Sequence, residues 1–187
     1  MIIQIQPGSR QQVLDALGVE RDGFSGDDPP ETNPDVIRFL AEKGKVFLYY
    51  VKKTPVAIIE LLPIVALSCC EKIERDSPLA IVAANRERLF GELLTGNVIY
   101  HHGVATVPEF RRRGFARQLL NKMIQAFPRA PIVCFIEAGI MKEGMFVKTE
   151  NTPSFRLHEA VGFKTGGIVS PPVYDNKVFY YICRRLP

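Results

Sequence analysis

Along the chain, short β-branched or aromatic runs alternate with segments whose apolar residues recur at helical spacing, a pattern that predicts an α/β or α+β domain. Residues 2–6 read as a short strand. Ser9 can cap a helix running to about Gly18, with Val13, Leu14 and Leu17 on its apolar side. A polar loop at 22–32 leads to Asn33 and Pro34, which open a second helix with Val36, Ile37, Phe39 and Leu40 inward. Residues 45–52 and 55–62 form two strand-like runs that pair as a hairpin across Lys53 and Thr54.

The middle of the chain is less regular. Residues 66–97 are expected to be a partly helical insertion, with a helix at 83–94 presenting Leu89, Phe90 and Leu93 on one side. Beyond it come a strand at 98–107, a helix at 113–127, a buried strand at 132–138 and a helix at 151–161. Two final strands, 163–169 and 177–184, flank a turn containing Pro171, Pro172, Asp175 and Asn176. The helix from Arg113 has the clearest stripe: Ala116, Leu119, Leu120, Met123 and Phe127 against Arg117, Asn121, Lys122 and Gln125.

Composition narrows this picture. With 187 residues, 47% hydrophobic and 24% charged, the chain suits one globular domain over 1–187. Its greasiest stretch, 55–70, is broken by Glu60 and Pro63 and falls short of the ~20 residues a membrane span needs. The first seven residues lack a basic lead, so the reading is a soluble cytoplasmic protein with no membrane partner. Cys69 and Cys70 are adjacent, while Cys134 and Cys183 sit in apolar runs without metal-ligand spacing; all four read as core thiols, and no metal is expected. The net charge of +4 is mild, and the basic residues form no long block of the kind that binds nucleic acid.

One basic cluster needs its own explanation. Arg111, Arg112 and Arg113 stand where a strand meets a helix, although a helix N-terminus already concentrates partial positive charge. The conflict resolves if an anion binds there, with Gly114 and the small Ala116 letting phosphates approach free backbone N–H groups.

The run Arg111-Arg112-Arg113-Gly114-Phe115-Ala116 resembles the signature of the GNAT acetyltransferase superfamily: Arg or Gln, two variable residues, Gly, one variable residue, then Gly or Ala. Thr106-Val107-Pro108 occupies the place of the V-x-P tripeptide that precedes the signature, with Thr replacing the usual aliphatic residue. A second family feature is matched by Asn151, Ser154, Leu157, His158, Gly162 and Phe163. The resemblance covers the chain apart from 66–97.

It implies a mixed, mostly antiparallel sheet of about seven strands flanked by helices and splayed between strands 4 and 5. Acetyl-CoA would enter the splay and hand its acetyl group directly to a primary amine, a small molecule in preference to a protein. Backbone groups of Thr106 and Val107 would pair with pantetheine. Arg111, Arg112, Arg113, Gly114, Phe115 and Ala116 would surround the pyrophosphate, and Asn151 and Ser154 would lie toward the far side of the pantetheine. A backbone N–H near Val107 would receive the oxyanion. His102 is the preferred base: four residues before Thr106, it is expected on the strand face of Val104 and Thr106, with His101 opposite. Glu60 and Glu137 are reserve candidates. His158 stands where many relatives carry the tyrosine that protonates the leaving sulfur, and Tyr174 is the alternative acid. Asp27, Asp28 and Glu31 would border the acceptor site and attract a cation. A coenzyme-binding sensor without transferase activity, a protein N-acetyltransferase and a homodimer stay open.

Overall fold

The structure, a computed structural model, describes residues 1–24, 30–73, 77–143, 145–148, 151–173 and 178–187, of which Glu71 and Lys72 are described by backbone alone. Asp27, Asp28, Tyr174, Asp175 and Asn176 lie outside the described residues.

Among the described residues, eight strands form one sheet: β1 (Ile2–Gln4), β2 (Lys45–Val51), β3 (Thr54–Pro63), β4 (Ile99–Thr106), β5 (Ile132–Lys142), β6 (Met145–Lys148), β7 (Lys164–Val169) and β8 (Val178–Arg185). Their order is β1-β2-β3-β4-β5-β8-β7, with β6 paired to β5. Every pairing is antiparallel except β4 with β5. The helices are α1 (Arg10–Gly23), α2 (Pro34–Lys43), α3 (Pro78–Ala84), α4 (Arg86–Phe90), α5 (Phe115–Ala126) and α6 (Thr152–Glu159).

Strand alternation divides the core between the two sheet faces. On β3, Ile58 and Leu62 join a cluster with α1, α2, α3 and α4, while Ala57, Ile59 and Leu61 join a second cluster with α5. Phe155 and Leu157 of α6 pack against that second cluster. Glu60 alternates with Ile58 and Leu62, so a carboxyl with no exposed surface lies among aliphatic side chains on the first face.

Local chemistry sets most element ends. Ser9 Oγ accepts the amide of Gln12 at the start of α1, and Asn33 Oδ1 accepts that of Asp35 at the start of α2. The first helix runs five residues beyond Gly18, and its buried stripe is Val13, Ala16 and Val19, with Leu14 exposed. The helix expected at 83–94 divides instead. Ser77 and Pro78 start α3 early, α4 follows from Arg86, and Gly91 at φ 49° ends it before a short 3-10 turn. The strand at 132 continues to Lys142 and returns as β6, whose Met145, Phe146 and Val147 are exposed and give no core-facing alternation to read.

Gly44, which ends α2, abuts β3 closely. A Cβ there would sit 2.0 Å from the Leu61 carbonyl oxygen and 2.7 Å from Leu62 Cα, both backbone atoms that cannot swing aside. Gly44→Ala is therefore expected to destabilise the fold by about 3 kcal/mol through overpacking, seen as a lowered urea midpoint with little change in slope.

Candidate active site

Parallel pairing of β4 with β5 is confined to Ile99 with Ile132 and Tyr100 with Val133; beyond it the two strands separate. On its other edge β4 stays paired with β3, and the Val107 amide donates to Val56 O at 3.0 Å. The amide of Val107 itself is thus engaged. Antiparallel alternation turns the N–H of Thr106, one residue earlier, away from β3 and toward the opening. The opening is the mouth of a cavity of about 630 Å³ reaching from the start of α5 to the buried faces of α1 and β3.

At the α5 end, Gly114 takes the left-handed conformation at φ 79°, with nothing within 4 Å of a built Cβ. Among the described residues no side chain caps the helix, and Gly114 O accepts its helical bond from the amide of Gln118 at 3.1 Å. The amides of Phe115, Ala116 and Arg117 therefore remain as anion donors. Of the arginines, Arg112 is exposed at φ 62°. Arg113 lies 4.9 Å over the Phe110 ring. The Arg111 guanidinium turns back into the fold, its Nε donating to Thr106 O at 3.1 Å and its Nη2 to Gly23 O at 2.9 Å. Arg111 thus ties the end of α1 to the end of β4, and the expected fan of three guanidinium groups over an anion is reduced.

Asn151 Oδ1 accepts the Ser154 amide at 3.1 Å, which makes it the N-cap of α6, and both residues line the cavity.

The two histidines of β4 occupy opposite faces, but not the faces strict alternation predicts. Glu60 is opposite Gly103 and Leu61 opposite His101, which leaves His102 as an extra bulged residue. The bulge resets the alternation. His102 shares the first face with Tyr100, whereas Val104 packs against the second cluster. The expectation that His102 faces the same way as Val104 and Thr106 is therefore corrected.

On the first face, His102 Nε2 lies 3.1 Å from Glu31 Oε1 and Nδ1 lies 3.3 Å from the Tyr100 hydroxyl. A carboxylate accepts, so Nε2 carries a proton, and in the neutral ring Nδ1 then keeps the lone pair. Glu31 is held by the Leu79 amide, which donates to the same Oε1 at 2.7 Å, and its own amide donates to Glu20 Oε2 at 3.0 Å.

On the second face, His101 Nε2 donates to Gly103 O at 3.0 Å and His158 Nδ1 donates to Ser154 O at 2.7 Å. Carbonyls only accept, so the remaining nitrogens, His101 Nδ1 and His158 Nε2, face each other with lone pairs at 3.4 Å. Cys134 offers Sγ beside them, all three ligand atoms lying within 4.8 Å of one another. A shared proton fits between the rings, and the donor set of two imidazoles and a thiol is also of a kind that holds zinc or copper(I). Burial, with each ring disfavouring charge on its neighbour, holds the His101 imidazole well below its usual range, and burial also lowers His158. His101, expected as a packing or surface residue, is only 2% exposed and belongs to the cavity wall.

Glu20, Glu31 and Glu60 converge at the α1 end of the cavity, each at most 2% exposed. Burial, opposed in part by the Glu31 amide, raises Glu20 from its ordinary 4.5 to about 8; burial and the neighbouring carboxyls raise Glu60 as well. Glu137 of β5 also lines the cavity, further along. Glu20 and Tyr100 had no pattern by which the sequence could single them out: one sits in a polar helix end, the other in an apolar strand.

The raised carboxyl has a measurable consequence. A group that binds its proton more tightly folded than unfolded contributes full stability below its unfolded value, and that contribution is lost as pH rises through the folded one. For Glu20 the window runs from 4.5 to about 8, an upper limit of about 5 kcal/mol. Glu20→Gln is thus expected to melt several degrees higher than the parent protein at about pH 9 and to lose that advantage at about pH 4.5. A melting difference independent of pH would contradict it.

Comparison with known proteins agrees with this architecture. The family model of the acetyltransferase (GNAT) family matches residues 16–163. An SPbeta prophage-derived N-acetyltransferase, YokL, of Bacillus subtilis (strain 168) is 24% identical over 115 residues, which cover 59% of this chain and 61% of YokL, so the match spans less than two thirds of that relative. The ribosomal-protein-S18-alanine N-acetyltransferase of Escherichia coli superposes with a TM-score of 0.62 at 14% identity, covering 99% of this chain and 93% of that one. A GNAT-like decarboxylase, GphF, solved with isobutyryl-CoA, gives a TM-score of 0.65 at 13% identity, with 100% and 98% covered. Among the described residues no helix is long and apolar enough to cross a membrane. With a family model spanning most of its length and a mixed sheet that parts after one short parallel pairing, this chain belongs to the acetyltransferase (GNAT) family.

Proposed function

We propose that the protein is an acetyltransferase that binds acetyl-CoA between β4 and β5 and transfers the acetyl group directly to the primary amine of a small molecule. The observation that carries this reading is a single cavity with a cationic, amide-rich end at Gly114 to Arg117 and two separate histidine centres further in, one on each face of β4. The pyrophosphate rests on the free amides at the start of α5, flanked by Arg112 and Arg113. Pantetheine runs along the edge that β4 leaves unpaired, near Thr106 and Val107, with Asn151 and Ser154 across from it.

The neutral amine attacks the thioester carbonyl, and the Thr106 N–H donates to the developing oxyanion. His102 Nδ1 exchanges its contact with the Tyr100 hydroxyl for the proton of the attacking nitrogen, and Glu31 stabilises the imidazolium so formed. The carbon–sulfur bond then breaks with its electron pair on sulfur. The thiolate is protonated from His158 Nε2, which burial keeps neutral at rest and which takes up a proton from solvent as His102 releases the amine's proton there, leaving an amide and CoA. His158 thus stands in for a tyrosine, with His101 Nδ1 facing its Nε2 at 3.4 Å as a second nitrogen that can share the incoming proton. The helical segment between β3 and β4, through Pro78 and the Leu79 amide, walls the acceptor side.

Calorimetry with acetyl-CoA, followed by a thiol-release assay over a panel of amines, tests this reading. Binding and thiol release coupled to acetylated amine are expected. A protein that binds no acyl-CoA defeats the proposal, and one that binds acetyl-CoA yet acetylates no amine is a sensor.

A further inference from the structure

The carboxyl end of the cavity contains more acceptor capacity than the protein fills. Among the described residues, Glu20 Oε1, Glu31 Oε2 and both oxygens of Glu60 are buried without a hydrogen-bond partner. The three residues come from α1, the loop before α2 and the middle of β3, so only the tertiary fold unites them. Each lines the cavity, and Glu60 Oε2 lies 3.5 Å from where a Cβ on Gly103 would be, beside the His102 bulge. The Phe24 ring closes over the same point at 3.0 Å. Buried oxygens of this kind are not left bare without reason, because each forfeits its hydration.

We infer that the acceptor is a small polyamine: a primary amine with at least one further cationic nitrogen, whose non-reacting ammonium donates to the unfilled oxygens of Glu20, Glu31 and Glu60. This rests on the transferase reading above and names the substrate class of that site. An ammonium brings three N–H donors in a compact head and a positive charge, which is what several crowded carboxyls require. A monoamine cannot supply both needs, since its single nitrogen must sit neutral at the thioester. An amino acid would bring its own carboxylate against three others, and a peptide would offer only neutral amides there. The cavity carries both charges: arginines and helix amides line it from the start of α5, carboxyls from α1, the loop before α2 and β3, with His102 bonded to Glu31. Protons that Glu20 and Glu60 hold in the empty site are released as the cation arrives.

The test compares putrescine, a four-carbon diamine, with butylamine, its monoamine counterpart, by thiol release at saturating acetyl-CoA. Calorimetric binding of each amine to the CoA-loaded protein runs in parallel. Putrescine is expected to exceed butylamine at least about 30-fold in kcat/KM, because a site built with unpaired polar groups rejects ligands that leave them unpaired. Glu60→Gln and Glu20→Gln, which keep shape but remove charge, are expected to bring that ratio below about 5. A residue that merely shaped the pocket would lower both rates and leave the ratio alone. Equal use of butylamine, or preference for a peptide α-amine, overturns the inference while leaving the transferase reading intact. If no amine is acetylated but putrescine binds in a Glu60-dependent way, the transferase reading falls and the polyamine site stands. If putrescine neither binds nor reacts, the inference is wrong.

Discussion

His102→Ala is expected to lower kcat about 10²- to 10⁴-fold, the range lost with a general base, while changing the affinity for acetyl-CoA less than about threefold. The separation follows from position. His102 sits on the first face of β4, against Tyr100 and Glu31, away from the α5 amides that receive the pyrophosphate. Its ring is oriented at both nitrogens, so replacement removes a positioned proton acceptor and not only a packing group. Glu31→Gln supplies the control: the amide can still accept from the Leu79 amide, yet no longer offsets an imidazolium. A smaller loss of kcat is expected from it than from His102→Ala, with KM for coenzyme unchanged. A His102→Ala enzyme with the parent turnover would remove His102 from the role of base and return attention to Glu60 and Glu137.

Gly114→Asp is expected to weaken acetyl-CoA binding about 100-fold. Two costs combine there. A non-glycine residue at φ 79° costs on the order of 1–2 kcal/mol, and a carboxylate placed among the amides of Phe115, Ala116 and Arg117 competes with and repels the pyrophosphate. Since no described atom lies within 4 Å of a built Cβ, the first side-chain atom meets no clash. A negative charge at a helix N-terminus also favours the helix, so the fold should retain most of its stability. Gly114→Ala isolates the conformational cost and should weaken binding only about tenfold. Calorimetry on the three proteins, with melting curves to verify folding, checks the series. Equal affinity in Gly114→Asp would move the pyrophosphate elsewhere.

Much of the frame was legible before any coordinates. The β2–β3 hairpin, α2 and α5 announce themselves through alternation, caps and helical stripes, because each buries one face against a layer whose period the side chains must match. The two family motifs are contiguous, and their residues lie along one cavity because strand β4 feeds directly into α5 and α6 follows β5 and its β6 return. Other elements depart from their local pattern. The apolar spacing of 83–94 carries across Gly91 and predicts one helix, although the chain turns there at positive φ. The β6 hairpin left no trace, as its apolar side chains stay exposed.

By itself the sequence determined the kind of domain, the place where an anion-binding helix N-terminus meets a strand, and the residue types available for proton transfer. These depend on neighbours a few positions apart, and local spacing governs them. Which side of the sheet each histidine serves was decided by the tertiary structure. One extra residue in β4 reverses the alternation, and its position is fixed by pairing with β3, some forty residues earlier in the chain. The same holds for Glu20, Glu31 and Glu60, which no sequence spacing relates. Packing α1 and the loop before α2 over β3 buries them together, and only that shared burial turns three scattered carboxyls into one site, where Glu20 and Glu60 hold their protons more tightly than usual.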